Sequence, residues 1–161
     1  MLLTQLETPV LVADADIIEQ NMEKMSEILD GKVLKLRPHY KSHKCAAIAH
    51  KQIEMGAVGI TCAKLSEAED LVDSGVENVL IANQVVDGEK LVKLAALAKK
   101  CRLTVCADDA ENIKALSSAA VCAGATVHVY IEYDIGMKRC GVTDPEKYLT
   151  EGILSHHIQM M

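Results

Sequence analysis

The chain has 161 residues, of which 50% are hydrophobic, and a formal net charge of −6. This length is enough for one domain with a sizeable core. The negative charge and the lack of a basic stripe argue against nucleic-acid binding. The apolar runs are far too short to span a bilayer, so no membrane partner is expected either.

Six cysteines are scattered along the chain. They form no C-x-x-C pair, which argues against a structural zinc site. Since the N-terminus does not resemble a signal peptide, we expect free thiols in a reducing cytoplasm.

The first predicted elements are a strand and a helix. Residues 8–12 (TPVLV) predict a short strand, and Pro9 suits an edge or entry position. Asp14 or Asp16 then offers an N-cap, and Gly31 closes the helix. Its apolar face falls at helical spacing: Ile18, Met22, Met25 and Leu29.

From residue 33 onward the sequence predicts strands that alternate with helices. The five predicted strands begin near Val33, Val58, Val79, Leu103 and Val127. Capping residues are expected to open the helices between them: Ser66 and Glu69 at capping-box spacing, with a helix start one or two residues earlier as the alternative, then Asp87, then Asp108 or Asp109.

Strict alternation with continuous apolar strands predicts a parallel sheet with helices outside. Two closures are compatible with it: an open doubly wound sheet, or part of an eight-stranded barrel of about 250 residues. No strand is followed by G-x-G-x-x-G, and no phosphate-binding G-x-x-x-x-G-K-[ST] occurs. We therefore favour α/β architecture in the form of a partial (β/α)8 barrel with about five parallel strands.

In either closure, active-site residues lie at the carboxyl ends of the parallel strands. The polar residues at those ends are rich in nitrogen donors and suit an anionic ligand: His39, Lys41, His43, Thr61, Lys64, Asn83, Gln84, Asp108, Asp109, Glu132, Asp134, Lys138 and Arg139. Helix capping is the simpler explanation for Asp108 and Asp109. For Asn83 and Gln84, a turn role competes evenly with a ligand role.

Lys41 stands between His39 and His43, directly after an apolar run and before a helical pattern. Schiff-base chemistry needs a neutral amine, and partial burial and nearby cations lower the pKa of a lysine. A lysine at the end of a buried strand, among groups that move protons, fits this need. A solvated basic turn is the alternative, because most lysines lie at the surface.

Ordered segments of this sequence resemble a known family. They are residues 39–44 (HYKSHK), 56–62 (GAVGITC), 66–69 (SEAE), 83–86 (NQVV) and 132–142 (EYDIGMKRCGV). Together they resemble the D-threonine aldolase/D-serine dehydratase-like family, and the middle section is most similar to its 3-hydroxy-D-aspartate aldolases. This family belongs to the alanine-racemase-type (fold type III) pyridoxal-phosphate enzymes. The combination of the first and last segments is specific, whereas either alone is a weak signal.

The resemblance implies roles for several residues. Lys41 would carry pyridoxal phosphate as a Schiff base, and Arg139 would lie beside the cofactor, near its phenolic oxygen or the substrate carboxylate. A guanidinium can bind a carboxylate with two parallel hydrogen bonds, which an ammonium cannot. His43 would be a catalytic neighbour, and His39 a polar neighbour of the cofactor.

At one position the sequence departs from the family. Relatives usually carry Gln after the cysteine of the second strand, where it can contact the oxygen of the cofactor ring, and this chain has Ala63. The contact is then lost or made by another residue, and Gln84 is the candidate.

The implied reaction is retro-aldol cleavage of a β-hydroxy-D-amino acid to glycine and an aldehyde or keto acid. A D-serine dehydratase-type lyase is the nearest alternative. A non-catalytic pyridoxal-phosphate-binding protein is another, but residues 61–64 (TCAK) lack the G-E-N-type strand end of that class. The family further implies a small D-amino acid as substrate, a homodimer, and a divalent Mn or Mg ion whose ligands lie in a C-terminal β domain.

The resemblance extends only to about Val142. We therefore expect residues 1–161 to be the N-terminal portion of a cofactor-binding barrel, without the phosphate-binding loops, the β domain or the metal ligands. Such a chain would associate and bind cofactor weakly, because its sheet edges would be unpaired. A truncated product without independent function is a further possibility.

In residues 151–161 the adjacent His156 and His157 are expected to be an incidental pair and not a metal site, since neighbouring side chains point in different directions.

Overall fold

The computed structural model describes residues 3–144 and Glu146. The chain divides into two compact units, Met1–Lys35 and Leu36–Met161. Tail residues His156 and His157, with the rest of 151–161, lie outside the described residues, so the expectation about that pair stays a prediction.

The first unit contains a short 3-10 helix, Leu3–Gln5, and helix α1, Ala15–Leu29. Asp14 is the N-cap of α1, and its carboxylate accepts the N–H groups of Asp16 (3.0 Å) and Ile17 (3.1 Å). The strand predicted over residues 8–12 is wrong. A strand requires a ladder partner, and the described part of this unit contains no strand.

The second unit alternates helices with strands. After a 3-10 turn at Tyr40–Ser42, the elements are α2 (Ala46–Glu54), β1 (Ile60–Cys62), α3 (Leu65–Asp73), β2 (Asn78–Ile81), α4 (Gly88–Leu97), β3 (Arg102–Ala107), α5 (Ala110–Ala123) and β4 (His128–Ile131). The strands form one parallel sheet in the order β1-β2-β3-β4. The predicted α/β fold of the barrel type is confirmed.

The first of the five predicted strands is replaced by irregular chain, so the described sheet has four strands instead of five. Pairing with β1 begins only at Leu36, whose carbonyl accepts the N–H of Val58 at 2.9 Å. The Pro38 carbonyl then accepts from Thr61 (2.8 Å), and His39 forms a single parallel bridge to Thr61. Proline has no N–H, so the ladder is interrupted where a continuous strand was expected.

The core lies between the sheet and helices α2 to α5. The strands supply fully buried residues, among them Ile60, Val79, Ile81, Leu103 and Val105. Each such side chain stabilises the fold by roughly 1.5–3 kcal/mol relative to exposure. None of the helices in the described part of the chain is both long enough and apolar enough to cross a membrane.

Helix caps place the residues that follow the strands. Asp87 caps α4 through the N–H of Lys90 (3.0 Å), and Asp109 caps α5 through Glu111 (3.0 Å) and Asn112 (3.2 Å). The capping box at Ser66 and Glu69 is not formed, because α3 begins at Leu65, the earlier start that the sequence also allowed.

The N-cap of α3 is Lys64, which makes no side-chain cap hydrogen bond. Glu67 in the first turn instead reaches back to the N–H of Ala63 at 2.9 Å. The carboxylate that organises this helix start therefore lies two residues before the one that the spacing indicated.

Candidate functional site

The carboxyl ends of the parallel strands bring the predicted site residues to one edge of the sheet. The bridge between His39 and Thr61 places the turn that contains Lys41 beside the end of β1. Gln84 follows β2, and residues 132–142, here called the Arg139 segment, follow β4. The edge is thus assembled from the chain regions that the sequence predicted.

Lys41 is the middle residue of the 3-10 turn Tyr40–Ser42, and its side chain is exposed. Its backbone N–H donates to Nδ1 of His39 at 3.2 Å. Its amine makes no hydrogen bond or ion pair with any residue that the structure describes. Lys44, three residues on, differs: its Nζ lies 3.4 Å from Oε1 of Glu67.

Tyr40 anchors this turn in the core. Its side chain is only 1% exposed and is among the largest fully buried side chains of the described residues. Its hydroxyl donates a hydrogen bond to the carboxylate of Asp70 on α3. Burial, reinforced by the Asp70 contact, raises the pKa of Tyr40 to about 12. The tyrosine therefore stays protonated and holds the turn against α3.

The two histidines that flank Lys41 use their Nδ1 atoms to hold the backbone. Nδ1 of His39 accepts from Lys41, and Nδ1 of His43 accepts from the N–H of Cys45 at 3.2 Å. Burial lowers the pKa of both, and the charge of Lys41 lowers that of His39 further. Both rings are therefore neutral at pH 7, with the proton on Nε2.

His43 is also packed on its far side. Its ring meets that of Tyr40 edge to face, with centroids 5.3 Å apart. Nε2 of His43 and Oε1 of Gln52 are both buried without a hydrogen bond of good geometry. Gln52 nevertheless lies near enough to oppose the fall in the His43 pKa. With one nitrogen occupied and the other buried, His43 is placed to support the turn.

Glu67 is a buried carboxylate that the sequence did not single out, with 8% of its surface exposed. Burial by itself raises its pKa, but the N–H of Ala63 and the ammonium of Lys44 outweigh burial and bring the pKa below its usual range. Glu67 is therefore ionised at pH 7. Its position in the first turn of a helix was the available signal, since acidic residues are favoured there.

Gln84 belongs to a second cluster at the same edge. Its Nε2 donates to Oε2 of Glu132 at 2.8 Å, and the thiol of Cys140 donates to Oε1 of Glu132 at 3.0 Å. The bond to Glu132 raises the pKa of the Cys140 thiol. Glu132 therefore joins the ends of β2 and β4, a role that the sequence did not reveal. The turn role considered for Asn83 is observed, because its Oδ1 accepts the N–H of Gln84 at 3.0 Å.

The Arg139 segment is shaped by carboxylates that accept backbone N–H groups. Asp134 accepts from Gly136 (2.8 Å) and from Lys138 (3.0 Å), and these bonds lower the pKa of Asp134. Asp108 accepts from Gly141 at 2.8 Å instead of capping α5. Arg139 itself is exposed. Among the described residues, no hydrogen bond or ion pair joins Arg139 to Lys41.

A cleft of about 310 Å³ lies between the ends of β1 and β2 and the starts of α3 and α4. Its lining residues are Ala63, Lys64, Leu65, Ser66, Glu69, Asn83, Gln84, Lys90 and Lys93. Ala63 and Gln84 thus face the same space. Gln84 can reach the region in front of Ala63, which its predicted replacement of the missing Gln requires.

Metal ligands were expected to lie outside this chain. Within residues 3–144 and Glu146, no cluster of three or more His, Cys, Asp or Glu side chains has the arrangement to hold a metal ion. All six cysteines are free thiols. Burial raises the pKa of Cys62 to about 12 and that of Cys106 to about 11, so neither is a reactive thiolate at neutral pH.

Comparison with known proteins identifies relatives of this arrangement. The chain is 43% identical over 142 residues to the D-threonine aldolase of Arthrobacter sp, covering 88% of this chain and 38% of that protein. It is 38% identical over 145 residues to the 3-hydroxy-D-aspartate aldolase of Paracoccus denitrificans, covering 89% of this chain and 38% of the relative.

A solved structure shares the fold closely. The crystal structure of D-threonine aldolase from Filomicrobium marinum matches with a TM-score of 0.91 at 47% identity, covering 94% of this chain and 41% of that one. The chain therefore spans about two fifths of the length of the relatives it matches. The family model described as "Alanine racemase, N-terminal domain" matches residues 13–157. The chain belongs to the alanine racemase N-terminal domain family.

Proposed function

We propose that this chain carries the lysine-bearing part of a pyridoxal-phosphate-dependent aldolase that cleaves β-hydroxy-D-amino acids to glycine and an aldehyde or keto acid. One observation carries the proposal: the exposed amine of Lys41, at the carboxyl end of a parallel sheet, has no ion-pair partner among the described residues, whereas Lys44 is held by Glu67. The similarity to aldolases of D-threonine and 3-hydroxy-D-aspartate supports this substrate class.

The described residues fit the proposed cofactor. Its aldehyde requires an accessible amine, and Lys41 offers one on a turn that is fixed at both ends. When bound, pyridoxal phosphate supplies the electron sink that allows a bond to the substrate α-carbon to break. The protein contributes position and charge, and these follow from its own side chains.

Three further residues are assigned to the site. The exposed guanidinium of Arg139 provides a fork for a carboxylate or for the phenolic oxygen of the cofactor. Neutral His39 holds the backbone of Lys41 without adding a second positive charge beside the amine. Gln84 lines the same cleft as Ala63, and its amide orients Glu132.

His43 is the remaining residue of the proposed site. Its Nδ1 supports the backbone at Cys45, and its ring supports Tyr40. We propose that it acts on Lys41 through the turn, in place of the direct catalytic role that the resemblance implied. Replacing His43 by Ala would then weaken cofactor attachment and leave the pH dependence of bond cleavage unchanged.

The first experiment tests the lysine. Pyridoxal phosphate is added to the chain, the absorbance band of the lysine adduct is followed, and the product is trapped with borohydride and mapped by mass spectrometry. We expect the label at Lys41 and its loss in Lys41→Ala, with Lys99→Met, at an exposed lysine away from the turn, as the control that keeps it. Label at another lysine in folded protein would contradict the site assignment.

The second experiment tests the reaction. Protein loaded with pyridoxal phosphate, and not treated with borohydride, is incubated with D-threonine or 3-hydroxy-D-aspartate, with and without Mn²⁺ or Mg²⁺, and glycine and ammonia are measured. Glycine with an aldehyde or keto acid is the expected product. Ammonia with a keto acid would instead identify a dehydratase, and neither product from the loaded protein would indicate a cofactor-binding role. Sedimentation of the same samples tests the homodimer that belongs to this proposal.

A further inference from the structure

We propose that two carboxylates on α3, Glu67 and Asp70, are positioning residues that decide which lysine of the turn reacts with an aldehyde. Glu67 holds Lys44, Asp70 holds Tyr40, and Lys41 between them remains the free amine. This inference rests on the proposed function in one respect, namely that the aldehyde is the cofactor's. It also makes a claim about the cofactor-free chain that is tested separately.

Residues 39–44 carry two amines close together in the chain, those of Lys41 and Lys44. Lys41 lies two residues after His39, and Lys44 follows His43 directly. An amine attacks an aldehyde through its free lone pair, so an amine held in an ion pair must first leave its carboxylate, whereas an unpaired amine need not. The choice between them therefore depends on the groups around each amine.

Glu67 is placed to hold Lys44 in an ion pair. Its carboxylate side chain is 9% exposed, lies 3.4 Å from Nζ of Lys44, and is ionised because the Ala63 N–H and that ammonium stabilise its charge. Lys44 is within ion-pair distance of this carboxylate, and the charge of Lys64 stabilises the carboxylate further. The Lys44 side chain is itself 58% exposed, which limits the effect to the modest size of a surface ion pair.

Asp70 fixes the other end of the turn. It lies one helical turn after Glu67, so the two carboxylates share a face of α3. It accepts the hydroxyl of the buried Tyr40. The helix that carries both is anchored in the core by Ala68 and Leu71, which are fully buried.

The backbone links the two ends of the turn. The N–H of Lys44 donates to the carbonyl of Tyr40 at 2.8 Å, and Lys44 adopts a left-handed conformation with φ of +48°. Such a conformation is uncommon for a residue with a side chain and needs surrounding contacts to persist. The ion pair to Glu67 is one such contact, and it leaves Lys41 as the unpaired amine of the turn.

The cofactor-free test is competitive reductive methylation with formaldehyde and cyanoborohydride, followed by mass spectrometry of both lysines. In the wild-type chain we expect Lys41 to be modified about threefold faster than Lys44, the size of a surface ion-pair effect. Glu67→Gln should bring the two rates close to equal. The amide oxygen of Gln can still accept the Ala63 N–H, so this variant preserves the start of α3.

Glu69→Gln is the matched control, since it removes the same charge from the same helix and Glu69 has no hydrogen bond or ion pair within the described residues. It should leave the ratio unchanged. Equal rates in the wild-type chain, or an unchanged ratio in folded Glu67→Gln, would overturn the inference. The wild-type ratio decides the matter if Glu67→Gln does not fold.

The cofactor arm uses pyridoxal phosphate with borohydride trapping. Glu67→Gln should add label at Lys44, and Asp70→Asn should reduce label at Lys41 several-fold without moving it to Lys44. A merely destabilised protein would lose label without redistributing it. If methylation shows the expected ratio but pyridoxal phosphate labels neither lysine, the proposed function fails and the positioning role stands. If Lys41 is labelled and the ratio does not respond to Glu67→Gln, the positioning role fails alone.

Discussion

The turn that carries Lys41 and the Arg139 segment reach the same edge of the sheet, but they are held in different ways. The turn is fixed by side chains, with Tyr40 buried in the core and α3 holding both of its ends. In the Arg139 segment, Asp108 and Asp134 accept backbone N–H groups, and Glu132 adds side-chain bonds to Gln84 and Cys140. Its apolar side chains Ile135 and Met137 are 88% and 73% exposed.

The two regions should therefore respond differently to mutation. The turn depends on another element, so its geometry should change when α3 or the core changes. The Arg139 segment depends on backbone conformation, so it should tolerate truncation of its exposed apolar side chains and be sensitive to glycine positions. The following predictions test that distinction, in order of decreasing effect.

Tyr40→Ala should have the largest effect, because it empties a fully buried aromatic site. Truncation of such a residue costs about 3–5 kcal/mol of unfolding free energy, measurable by urea denaturation. Tyr133→Ala is the control from the Arg139 segment, where the ring is already 45% exposed. An equal loss of unfolding free energy in Tyr133→Ala and Tyr40→Ala would contradict the difference between the Arg139 segment and the turn.

Gly141→Ala tests the backbone of the Arg139 segment. Gly141 has φ of +98°, and a Cβ there would lie 2.7 Å from the backbone N of Asp134. Strain of this kind costs about 1–3 kcal/mol, and the clash should also displace the segment. Hydrogen exchange at Val142, whose N–H donates to the Glu132 carbonyl, reports that displacement.

Gly136→Ala is the matched control for this change. Its φ of +120° is strained in the same sense, but an added Cβ would meet nothing within 4 Å. It should therefore lower stability less than Gly141→Ala does. Equal losses would mean that conformation alone, without the close approach to Asp134, determines the effect.

Asp108→Ala should cost about 1–2 kcal/mol, because the N–H of Gly141 loses a charged acceptor. The neighbouring Asp109→Ala removes the cap of α5 at a similar cost of about 0.5–2 kcal/mol. Amide exchange separates the two: the first variant should speed exchange at Gly141, and the second at Asn112. If Asp108→Ala also speeds amide exchange at Asn112, the effects of the two aspartates are coupled.

Lowering the pH to mildly acidic values should have the smallest effect on the unfolding free energy, and that effect should arise in the turn that carries Lys41. Burial lowers the folded-state pKa of His39, His43 and His128 below the ordinary value of 6.5. The unfolded chain therefore binds more protons below pH 6.5, so the unfolding free energy falls as pH decreases from 6.5 through the lowered folded pKa values.

The Arg139 segment contains no histidine. The pKa of Asp134 is lowered below 3.8, so its contribution persists until much stronger acid. Exchange at the amides of His43 and Lys44 should therefore accelerate at pH 5.5 before exchange at Gly136 does. His43→Ala should flatten the pH dependence of stability, and an unchanged slope would contradict a role for this ring.

Much of the fold could be predicted because local signals and packing agree. Four strands and the helices between them follow from apolar periodicity, and Asp14, Asp87 and Asp109 are the caps that their positions indicate. The strand at residue 33 failed because apolar composition does not reveal the missing N–H of Pro38 in a ladder. The capping box at Ser66 failed because spacing alone does not fix where a helix begins.

The residues of the candidate site were easier to predict than their contacts. Lys41, Arg139 and Gln84 lie at the expected edge of the sheet, but their roles depend on partners distant in sequence. Glu132 joins Gln84 from 48 positions away, and Asp70 meets Tyr40 from 30 positions away. The periodicity of the sequence does not reveal such pairs, because it is the packing of α3 and β4 that brings their members together.

The opposite end of the sheet carries a constraint on how this sequence can change. A Cβ on Gly59 would lie 2.4 Å from the carbonyl oxygen of Asn78 and 2.5 Å from Nη1 of Arg37. That guanidinium in turn donates to Oδ1 of Asn78 at 3.1 Å. The three positions therefore cannot vary independently in evolution or in a mutational library. Any chain with a side chain at position 59 must also move the start of β2 and shorten the residue at 37, so we expect covariation among these sites in related sequences.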